Sequence, residues 1–375
     1  MSITRVAVIF GGRSVEHEIS ILSAKSILRN IDRTKYEVFP IYIEKSGIWR
    51  AADTEAWLKD GEFEYSAASF LSPSLNPKER LFYEIAEDKV IGEHKIDAVF
   101  PVLHGTYGED GTVQGLLELM GVPFIGASVL GSSVGMDKIV MKAVLKEVGL
   151  PVVDYVDFSK FEWESSSTVI RDRIIDKVGF PCFVKSADLG SSVGISKVDS
   201  ENTLDEAVHF SCRFSNRVLV EKAVNTPREI EVSVLGNDAP KASCPGEIVP
   251  KREFYDYTAK YLDEETGLIA PAELDEEITT RLSELAVGAF KVLDCKGMGR
   301  VDFLMDGQTN ELFISEINTI PGFTQISMYP KLWELSGVPY AELITRLIEL
   351  AIERNESQKS LKVDITDIQK TPSSE

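Results

Sequence analysis

The sequence predicts a mixed α/β and α+β fold, with a parallel sheet near the amino terminus followed by α+β structure. Two strand-loop-helix units indicate the parallel sheet: apolar strands in TRVAVIFGG, from residue 4, and in KIDAVFPVLHG, residues 95 to 105, each lead through a loop into a helical pattern. The alternating strand REIEVSVLG and the strands GFPCFVK and RVLVEKAV indicate the α+β part. Parallel units place ligand loops at the carboxyl ends of their strands, so we expect a site there.

The chain divides into four expected segments. Residues 1–135 form an amino-terminal α/β substrate domain, and residues 136–224 form a central α+β segment. Residues 225–355 form a carboxyl-terminal α+β segment that contains the candidate metal site. Residues 356–375 are polar and without periodicity, and we interpret them as a tail.

Two stretches carry no strong pattern. Residues 50–90 are polar and irregular, with a Ser/Pro-rich patch, and we interpret them as an insertion. The stretch FEWESSSTVIRD, residues 161–172, predicts a loop that leads into a helix. Neither stretch is assigned a function.

Charge and composition exclude several classes of protein. A formal net charge of −20 leaves no basic stripe of the kind that nucleic acid binding requires. No apolar run reaches the length of a transmembrane helix, so we expect no membrane partner. The four cysteines include no Cys-x-x-Cys pair, which is typical of a reduced, cytoplasmic compartment.

The most informative segment is GRVDFLMDGQTNELFISEINT, residues 299–319, which predicts a β-hairpin. Side chains alternate between the faces of a strand, so Arg300 and Asp302 share one face of the first strand. Glu316 and Asn318 share one face of the second strand. A polar face opposite an apolar one is also typical of a solvated edge hairpin, and the pattern alone leaves that alternative open.

The register of this hairpin decides which side chains face each other. We expect Asp306 to pair with Leu312, which sets Asp302 opposite Glu316 with facing Cβ atoms about 5 Å apart. Two opposed carboxylates are destabilising unless a cation neutralises them. Mg²⁺ prefers such oxygen ligands and completes its shell with water and phosphate oxygens, so the hairpin predicts a metal site that serves a nucleoside triphosphate.

A second candidate is the Gly/Ser-rich stretch KSADLGSSVGISKV, residues 185–198, between two apolar strands. Its amides and hydroxyls could wrap phosphate oxygens, with Lys185 adding charge from the preceding strand. It lacks the Walker spacing, and a plain turn is the alternative. Lys138 near a helix start and Glu221-Lys222 at a strand end would supply contacts for a nucleotide, with solubilising surface residues as the alternative.

Three further features would complete a cleft. FYDYTAKYLDEETG, residues 254–267, has the composition of a closing lid that excludes water, or of an ordinary aromatic loop. Glu16 lies in the first turn of a predicted helix, where a carboxylate either complements the helix dipole or anchors an ammonium group. His104 lies where a parallel strand ends, and a structural role is its alternative.

Taken in order, these motifs resemble the D-alanine:D-alanine ligases of the ATP-grasp superfamily. The resemblance covers nearly all of residues 4–350 and is carried by FGGRSVEHEIS, LHGTYGEDGTVQGLLELMGVPFIGA, GMDK, GSSVGISKV, FYDYTAKY, GRVDF and SEINTIPGFT. It implies an ATP-grasp fold in which an amino-terminal parallel-sheet (pre-ATP-grasp) domain precedes two α+β subdomains that clasp ATP. It also implies ATP-dependent ligation of two D-alanine molecules through an acyl phosphate, for peptidoglycan precursor synthesis.

The resemblance implies cofactors and their binding residues position by position. ATP would bind with two Mg²⁺ ions, for which Mn²⁺ can substitute, and the metal ligands would be Asp302, Glu316 and Asn318. Phosphate contacts fall on Lys138, Lys185, Lys260, Ser191 and Ser192. Adenine and ribose contacts fall on Glu221, Lys222, Ala223, Val224 and Glu229, with Ile195, Phe254 and Leu304 as apolar walls.

The residues around the amino acid substrates follow in the same way. Glu16 would hold the ammonium group of the first D-alanine, supported by Ser191 and Tyr261. Arg300 and the amide of Gly322 would stabilise the tetrahedral oxyanion. The second carboxylate would be bound by Ser327 and the amide of Met328, and His104 completes the substrate-binding set.

Two other functions share this resemblance. A D-alanine:D-lactate ligase would carry a different lid ending, whereas Lys260-Tyr261 is linked with amine acceptors. A non-catalytic ATP-grasp nucleotide-binding protein would lack Arg300 or a metal ligand, and all of these are present. The resemblance further implies a homodimer, with D-alanine and ATP as its small-molecule partners.

Overall fold

The amino-terminal part confirms the predicted parallel sheet. The structure, a computed structural model, describes residues 3–59, 63–191, 193–249 and 267–361. The first elements are β1 (Thr4–Gly11), α1 (His17–Asn30), β2 (Tyr36–Ile43), β3 (Trp49–Asp53), α2 (Glu55–Leu58), β4 (Glu64–Tyr65), β5 (Ser69–Pro73), β6 (Leu81–Ala86), β7 (Lys89–Lys95), β8 (Ala98–Val102), α3 (Thr112–Leu119) and α4 (Val129–Met136). β1 pairs in parallel with β2 and β8, in a five-stranded sheet of order β4-β3-β2-β1-β8.

The continuous apolar runs of β1 and β8 explain why they lie at the centre of this part. Parallel strands are covered on both faces and so lack polar alternation, and residues 6–10 are completely buried. Because β1 and β8 are parallel neighbours, the loops after them meet at one edge. The Ser14 hydroxyl there donates a hydrogen bond to the His104 carbonyl, at 2.7 Å.

The prediction that residues 50–90 are irregular is wrong. β5, β6 and β7 form a three-stranded antiparallel sheet, with a register shift between Glu84 and Ile85. The segment buries one face against the first sheet: Phe82 is fully buried and stacks on Trp49, with ring centroids 5.9 Å apart. Its strands are short and punctuated by proline and serine, which hides the alternation in the sequence.

The central part is α+β, as predicted. Its elements are α5 (Lys138–Glu147), β9 (Tyr155–Ser159), α6 (Lys160–Lys177), β10 (Cys182–Ser186), β11 (Ser196–Val198), a 3₁₀ turn (Glu201–Thr203), α7 (Leu204–Ser211) and β12 (Arg217–Lys222). The strands form an antiparallel sheet of order β11-β10-β12-β9.

The prediction of a loop at FEWESSSTVIRD is wrong, because α6 runs through it with a kink at Ser166. A capping box starts this helix. The Ser159 hydroxyl accepts the Glu162 amide, and the Glu162 carboxylate accepts the Ser159 amide at 2.7 Å. The S-x-x-E spacing is visible in the sequence and outweighs the run of serines.

The carboxyl-terminal part is built on a larger antiparallel sheet. Its elements are β13 (Arg228–Gly236), β14 (Lys241–Ala242), β15 (Gly246–Val249), β16 (Gly267–Ile269), α8 (Glu276–Val292), β17 (Gly297–Met305), β18 (Leu312–Asn318), α9 (Met328–Leu335) and α10 (Tyr340–Ser360). The strand order is β16-β15-β13-β17-β18, and β14 pairs with β13. The helix α8 covers the apolar face of this sheet through residues such as Leu282, Leu285 and Phe290.

The predicted hairpin forms, but its register near the turn differs from the expectation. Met305, and not Asp306, pairs with Leu312. Asp306 lies in the turn, where its carboxylate accepts the amides of the two residues after Gly307 at 2.9 and 3.0 Å. The register then shifts between Asp302 and Phe303, so that Ser315 is an extra residue on β18. This β-bulge restores the pairing of Asp302 with Glu316.

The last helix packs against the amino-terminal part of the chain. Leu343, Ile344 and Leu347 of α10 pack into one core cluster with residues of β1 and β8. Arg354 donates hydrogen bonds to the carbonyls of Phe124 and Gly126 and lies over the Phe124 ring. The helix runs to Ser360, so the expected start of the tail at residue 356 falls inside it, and residues 362–375 lie outside the described part. Among the described residues, none of the helices has the length and apolar character needed to cross a membrane.

We predict that Arg354→Ala lowers the free energy of unfolding by about 2–3 kcal/mol, because hydrogen bonds to charged groups and the ring contact are lost together. Arg346→Ala on the same helix is the matched control. Arg346 is exposed and pairs only with Glu342, so its loss should cost no more than about 0.5 kcal/mol. Urea unfolding measures both. Equal losses in the two variants would contradict the role of Arg354 as a clamp.

Candidate active site

One face of the carboxyl-terminal sheet, built on β13, β17 and β18, carries the predicted polar residues. Directly opposed residues of β13, β17 and β18 share a face, so Glu231, Asp302 and Glu316 form a row across three strands. The neighbouring row contains Arg300 and Asn318. The alternate residues of these strands are buried in the core beneath, as the alternation in the sequence predicts.

Asp302 accepts hydrogen bonds from two neighbouring side chains. The Arg300 guanidinium donates to both of its oxygens, with Nε–Oδ1 and Nη2–Oδ2 distances of 2.7 Å each. Asn318 Nδ2 donates to Oδ2 at 2.9 Å. Burial alone would lower the pKa of Arg300, but Asp302 and then Glu231 raise it well above its usual value.

The donor set fits a hard divalent cation. Asp302 and Glu316 face each other, and their carboxylates together with the amide of Asn318 supply oxygen ligands of the type Mg²⁺ prefers. Among the described residues, His, Cys, Asp and Glu alone form no cluster of three that could bind a metal. The predicted trio therefore depends on the amide of Asn318.

Lys138 links this row to the Gly/Ser-rich loop. Its Nζ donates to the carbonyl of Leu189 at 2.7 Å and lies 3.6 Å from Glu316 Oε2. Asp137 caps α5 by accepting the amides of Ile139 and Val140, which fixes the start of the helix that carries Lys138. The lysine is buried, so it is not a solubilising surface residue.

Lys142 is a buried lysine that sequence reasoning missed. It is fully buried, and its Nζ lies 2.8 Å from Glu221 Oε1, while Lys185 Nζ lies 2.5 Å from Glu221 Oε2. The available signal was its spacing, because residues four apart on a helix share a face and Lys142 follows Lys138 by one turn. The side chain of Glu221, predicted to contact the nucleotide, is thus a bridge between two lysines.

Charge pairing outweighs burial for two members of this buried trio, Glu221 and Lys185. Burial would raise the pKa of Glu221, but Lys142 and Lys185 lower it to about 2. Burial would lower the pKa of Lys185, yet the neighbouring Glu221 carboxylate raises it above its usual value. Burial lowers the pKa of Lys142. Glu221 and Lys185 therefore stay charged across the physiological range.

Glu16 and Ser191 meet, as predicted. The Ser191 hydroxyl donates to Glu16 Oε1 at 2.6 Å, although the residues are far apart in sequence. Ser191 has a positive φ of 51°, which turns the loop toward α1. Gly105 lies against the other oxygen, since a Cβ there would come within 2.5 Å of Glu16 Oε2. The predicted partner Tyr261, together with Ser192, Phe254 and Lys260, lies outside the described residues.

His104 has both ring nitrogens occupied by the protein. Nδ1 lies 2.8 Å from the Ile320 carbonyl, so we assign the ring proton to Nδ1, and Nε2 lies 3.1 Å from Ser23 Oγ. Burial lowers the pKa of His104, which favours this neutral form. Both ring nitrogens therefore bond within the protein, and the substrate contact that the resemblance implies for His104 stays a prediction.

Glu109 is a second residue that the sequence did not reveal. Its two oxygens accept the amides of Gly105 and Ile320, each at 2.8 Å. Burial, with a further contribution from Glu16, raises the pKa of Glu109 to about 8. Glu109 therefore carries its proton at neutral pH and ties the loop after β8 to the segment after β18.

The predicted second-substrate residues lie at the start of α9. Ser327 is the N-cap residue, and its hydroxyl accepts the Thr324 amide at 3.0 Å. Gly322 lies beside it, since a Cβ there would be 3.1 Å from Ser327 Oγ. The Met328 side chain is buried in a small core, while its amide belongs to the first helical turn, where N–H groups lack intrahelical partners. Such a turn suits a carboxylate.

The remaining residues predicted to contact the nucleotide come from both the central and the carboxyl-terminal parts. Glu229 pairs with Leu304 across β13 and β17, and Ile195 is half-buried just before β11. The amides of Lys222 and Ala223 donate to the carbonyls of Asp154 and Pro181, at 2.9 and 3.1 Å. Those two amides are used within the protein. If residues 222–224 bind adenine, their carbonyl groups and Val224 would make the contacts.

Lysines, a glycine-rich loop and an acidic row converge between the central and carboxyl-terminal sheets, which is the arrangement of an ATP-grasp enzyme. Two adjoining family models match the chain, "D-ala D-ala ligase N-terminus" over residues 5–127 and "D-ala D-ala ligase C-terminus" over residues 144–349. The chain belongs to the D-ala D-ala ligase family.

Relatives of known structure or curated name agree with this assignment. A D-alanine--D-alanine ligase of Chloroherpeton thalassium is 46% identical over 367 residues, 97% of this chain and 100% of that protein. The structure of the D-alanine-D-alanine ligase from Coxiella burnetii has a TM-score of 0.83 at 38% identity, covering 96% of this chain and 97% of that one. The VanG D-Ala:D-Ser ligase from Enterococcus faecalis has a TM-score of 0.82 at 34% identity, covering 93% and 100%.

We predict that Lys142→Met lowers the free energy of unfolding by about 3 kcal/mol, because it leaves the buried Glu221 with one of its two cations. Adding Glu221→Gln should increase this loss, since the buried Lys185 then also loses its carboxylate partner. Lys146→Met, one turn further along α5 on an exposed lysine, is the control and should change stability little. Urea unfolding of the four proteins tests this. A double variant at least as stable as Lys142→Met alone would refute the charge argument.

Proposed function

We propose that the protein joins two molecules of D-alanine into D-alanyl-D-alanine at the expense of ATP, for peptidoglycan precursor synthesis. The observation that carries the proposal is the hydrogen bond between Glu16 and Ser191. It joins a buried carboxylate suited to an amino acid ammonium group to the loop suited to phosphate. An amino acid held there would present its carboxylate toward the phosphate site.

In the first step, the carboxylate of the first D-alanine attacks the γ-phosphorus of ATP, which gives an acyl phosphate and ADP. Catalysis of phosphoryl transfer rests on positioning and on neutralising charge. Lys138 and Lys185 supply positive charge beside the loop of residues 187–195, and both are held in place by carboxylates. Mg²⁺, for which Mn²⁺ can substitute, would be held by Asp302, Glu316 and Asn318 and would neutralise the phosphates when bound.

In the second step, the amine of the second D-alanine attacks the acyl carbon, the bond from carbon to phosphate oxygen breaks, and inorganic phosphate and a proton are released. Arg300 and the Gly322 amide would stabilise the oxyanion of the tetrahedral intermediate. Ser327 and the amide of Met328 would bind the carboxylate of the second D-alanine. His104 and Glu109 would position these groups, since both bond to Ile320 between the two loops.

A second candidate function differs from the first only in the acceptor substrate. The similarity to a D-Ala:D-Ser ligase raises D-serine as an alternative acceptor. Higher identity to proteins named D-alanine--D-alanine ligase favours D-alanine. The Lys260-Tyr261 lid ending, which argues against D-lactate, lies outside the described residues.

The proposal extends to the domain division, the cellular compartment and the oligomeric state. The division of the chain at residues 135 and 224 is supported by the three larger sheets, which lie within residues 4–102, 155–222 and 228–318. A cytoplasmic location is supported by four free cysteines, of which burial raises the pKa of Cys295 to about 12. A homodimer rests on the family resemblance.

We predict that D-alanyl-D-alanine dominates when D-alanine competes with equimolar D-serine and D-lactate as acceptors, by at least about tenfold, the low end of the discrimination that a pocket gives for one small group. Mass spectrometry identifies the products, and coupled assays count ADP and phosphate. One ADP and one phosphate should accompany each dipeptide. ADP release that does not depend on D-alanine, or a depsipeptide as main product, would overturn the proposal.

A further inference from the structure

Glu231 is an acidic residue of the site face that has no role in the reaction described above. It lies on β13 with only 8% of its surface exposed, directly opposite Asp302 on β17. Its Oε2 lies 3.2 Å from Nε of Arg300. A carboxylate in contact with the arginine that would stabilise the oxyanion is in a position to control that arginine.

The Arg300 guanidinium lies between two carboxylates. Its Nε reaches Asp302 Oδ1 at 2.7 Å and Glu231 Oε2 at 3.2 Å, and its Nη2 reaches Asp302 Oδ2 at 2.7 Å. In this arrangement the shorter contacts are with Asp302. Asp302 is also a proposed metal ligand, so the arginine and the metal would compete for the same oxygens.

The two oxygens of Asp302 already accept hydrogen bonds from the protein. Asp302 Oδ2 accepts from Arg300 Nη2 and from Asn318 Nδ2, while Oδ1 accepts from Arg300 Nε. A carboxylate oxygen has about two lone-pair directions, so those of Oδ2 are filled. A cation that binds there must displace a donor. Asn318 would have to turn its own oxygen to the metal, and the charge of the bound cation would repel the Arg300 guanidinium and weaken its two contacts with Asp302.

We propose that Glu231 is the positioning residue that retains Arg300 in the site when Asp302 binds the metal. This inference rests on the proposed function, because it takes Asp302 as a metal ligand. As the Asp302 contacts are given up, the guanidinium keeps its contact with Glu231 on the adjacent strand. Glu231 thereby lowers the cost of metal binding and holds the arginine's charge where the oxyanion forms.

The experiment measures Mn²⁺ affinity, not turnover. Mn²⁺ is titrated into full-length protein with ADP and inorganic phosphate, free Mn²⁺ is followed by electron paramagnetic resonance, and binding by the nucleotide alone is subtracted. The variants are Glu231→Gln, Glu231→Asp, Arg300→Met and the double variant Glu231→Gln with Arg300→Met. Circular dichroism confirms that each variant is folded.

Glu247→Gln is the matched control. Glu247 is equally buried and pairs with Arg228 at 2.6 and 2.7 Å, on the opposite face of the same sheet. The substitution removes one buried carboxylate from an arginine pair without touching Arg300. It should leave Mn²⁺ affinity and dipeptide synthesis unchanged.

We expect Glu231→Gln to weaken Mn²⁺ binding by about tenfold, within the range seen for coupled neighbours, and Glu231→Asp to recover most of it. In the Arg300→Met background, Glu231→Gln should change the affinity less than about twofold, because the competitor for Asp302 is gone. Equal weakening in both backgrounds would show that Glu231 acts only as a distant charge and would overturn the proposal. Unchanged affinity in Glu231→Gln, or no saturable binding by the unaltered protein, would also overturn it.

Dipeptide synthesis by the unaltered protein is assayed in the same preparation. A protein that makes no D-alanyl-D-alanine but shows the expected Mn²⁺ cycle would refute the proposed function and retain the role of Glu231. A protein that makes the dipeptide but shows no coupling between Glu231 and Arg300 would support the proposed function and refute the role of Glu231.

Discussion

The rest of the site depends on two carboxylates, Asp302 and Glu316, held face to face on neighbouring antiparallel strands. Two carboxylates in this position repel each other, and positively charged side chains from the surrounding structure reduce the repulsion. Arg300 covers Asp302 from the same strand, and Lys138 approaches Glu316 from α5. A β-bulge at Ser315 is needed for the pair to face at all, because the register at the turn is one residue out of phase with it.

Buried ion pairs and one hydrogen bond also connect charged groups elsewhere in the cleft. Lys142, Glu221 and Lys185 link α5 to the central sheet, and Ser191 links its loop to Glu16 on the first part of the chain. Ion pairs in low dielectric are costly to break but rigid once satisfied. These pairs keep positive charge where phosphate would bind, although the chain has a net charge of −20. Dissolved salt screens the distant acidic groups, so the nearby lysines determine the local potential.

The sequence predicts the local periodic features well and the long-range ones poorly. Alternation in β17 and β18 correctly places Asp302 and Glu316 on the polar face. The register predicted at the turn is wrong by one residue, and the expected pairing of these two residues forms only because of the unpredicted bulge. Lys142 resembles any helical lysine until Glu221 arrives from another strand. Glu109 and His104 gain their roles from Ile320, more than 200 residues away.

The claim that Asp302, Glu316 and Asn318 together gather a metal-nucleotide pair is tested most directly by Mn²⁺ binding to Asp302→Asn in the presence of ADP. The account predicts a loss of affinity of at least about 30-fold, since even the residues that support metal ligands contribute 10 to 100-fold, with the fold unchanged by circular dichroism. Affinity within a factor of about two of the unaltered protein, a difference too small for the loss of a ligand, would contradict it.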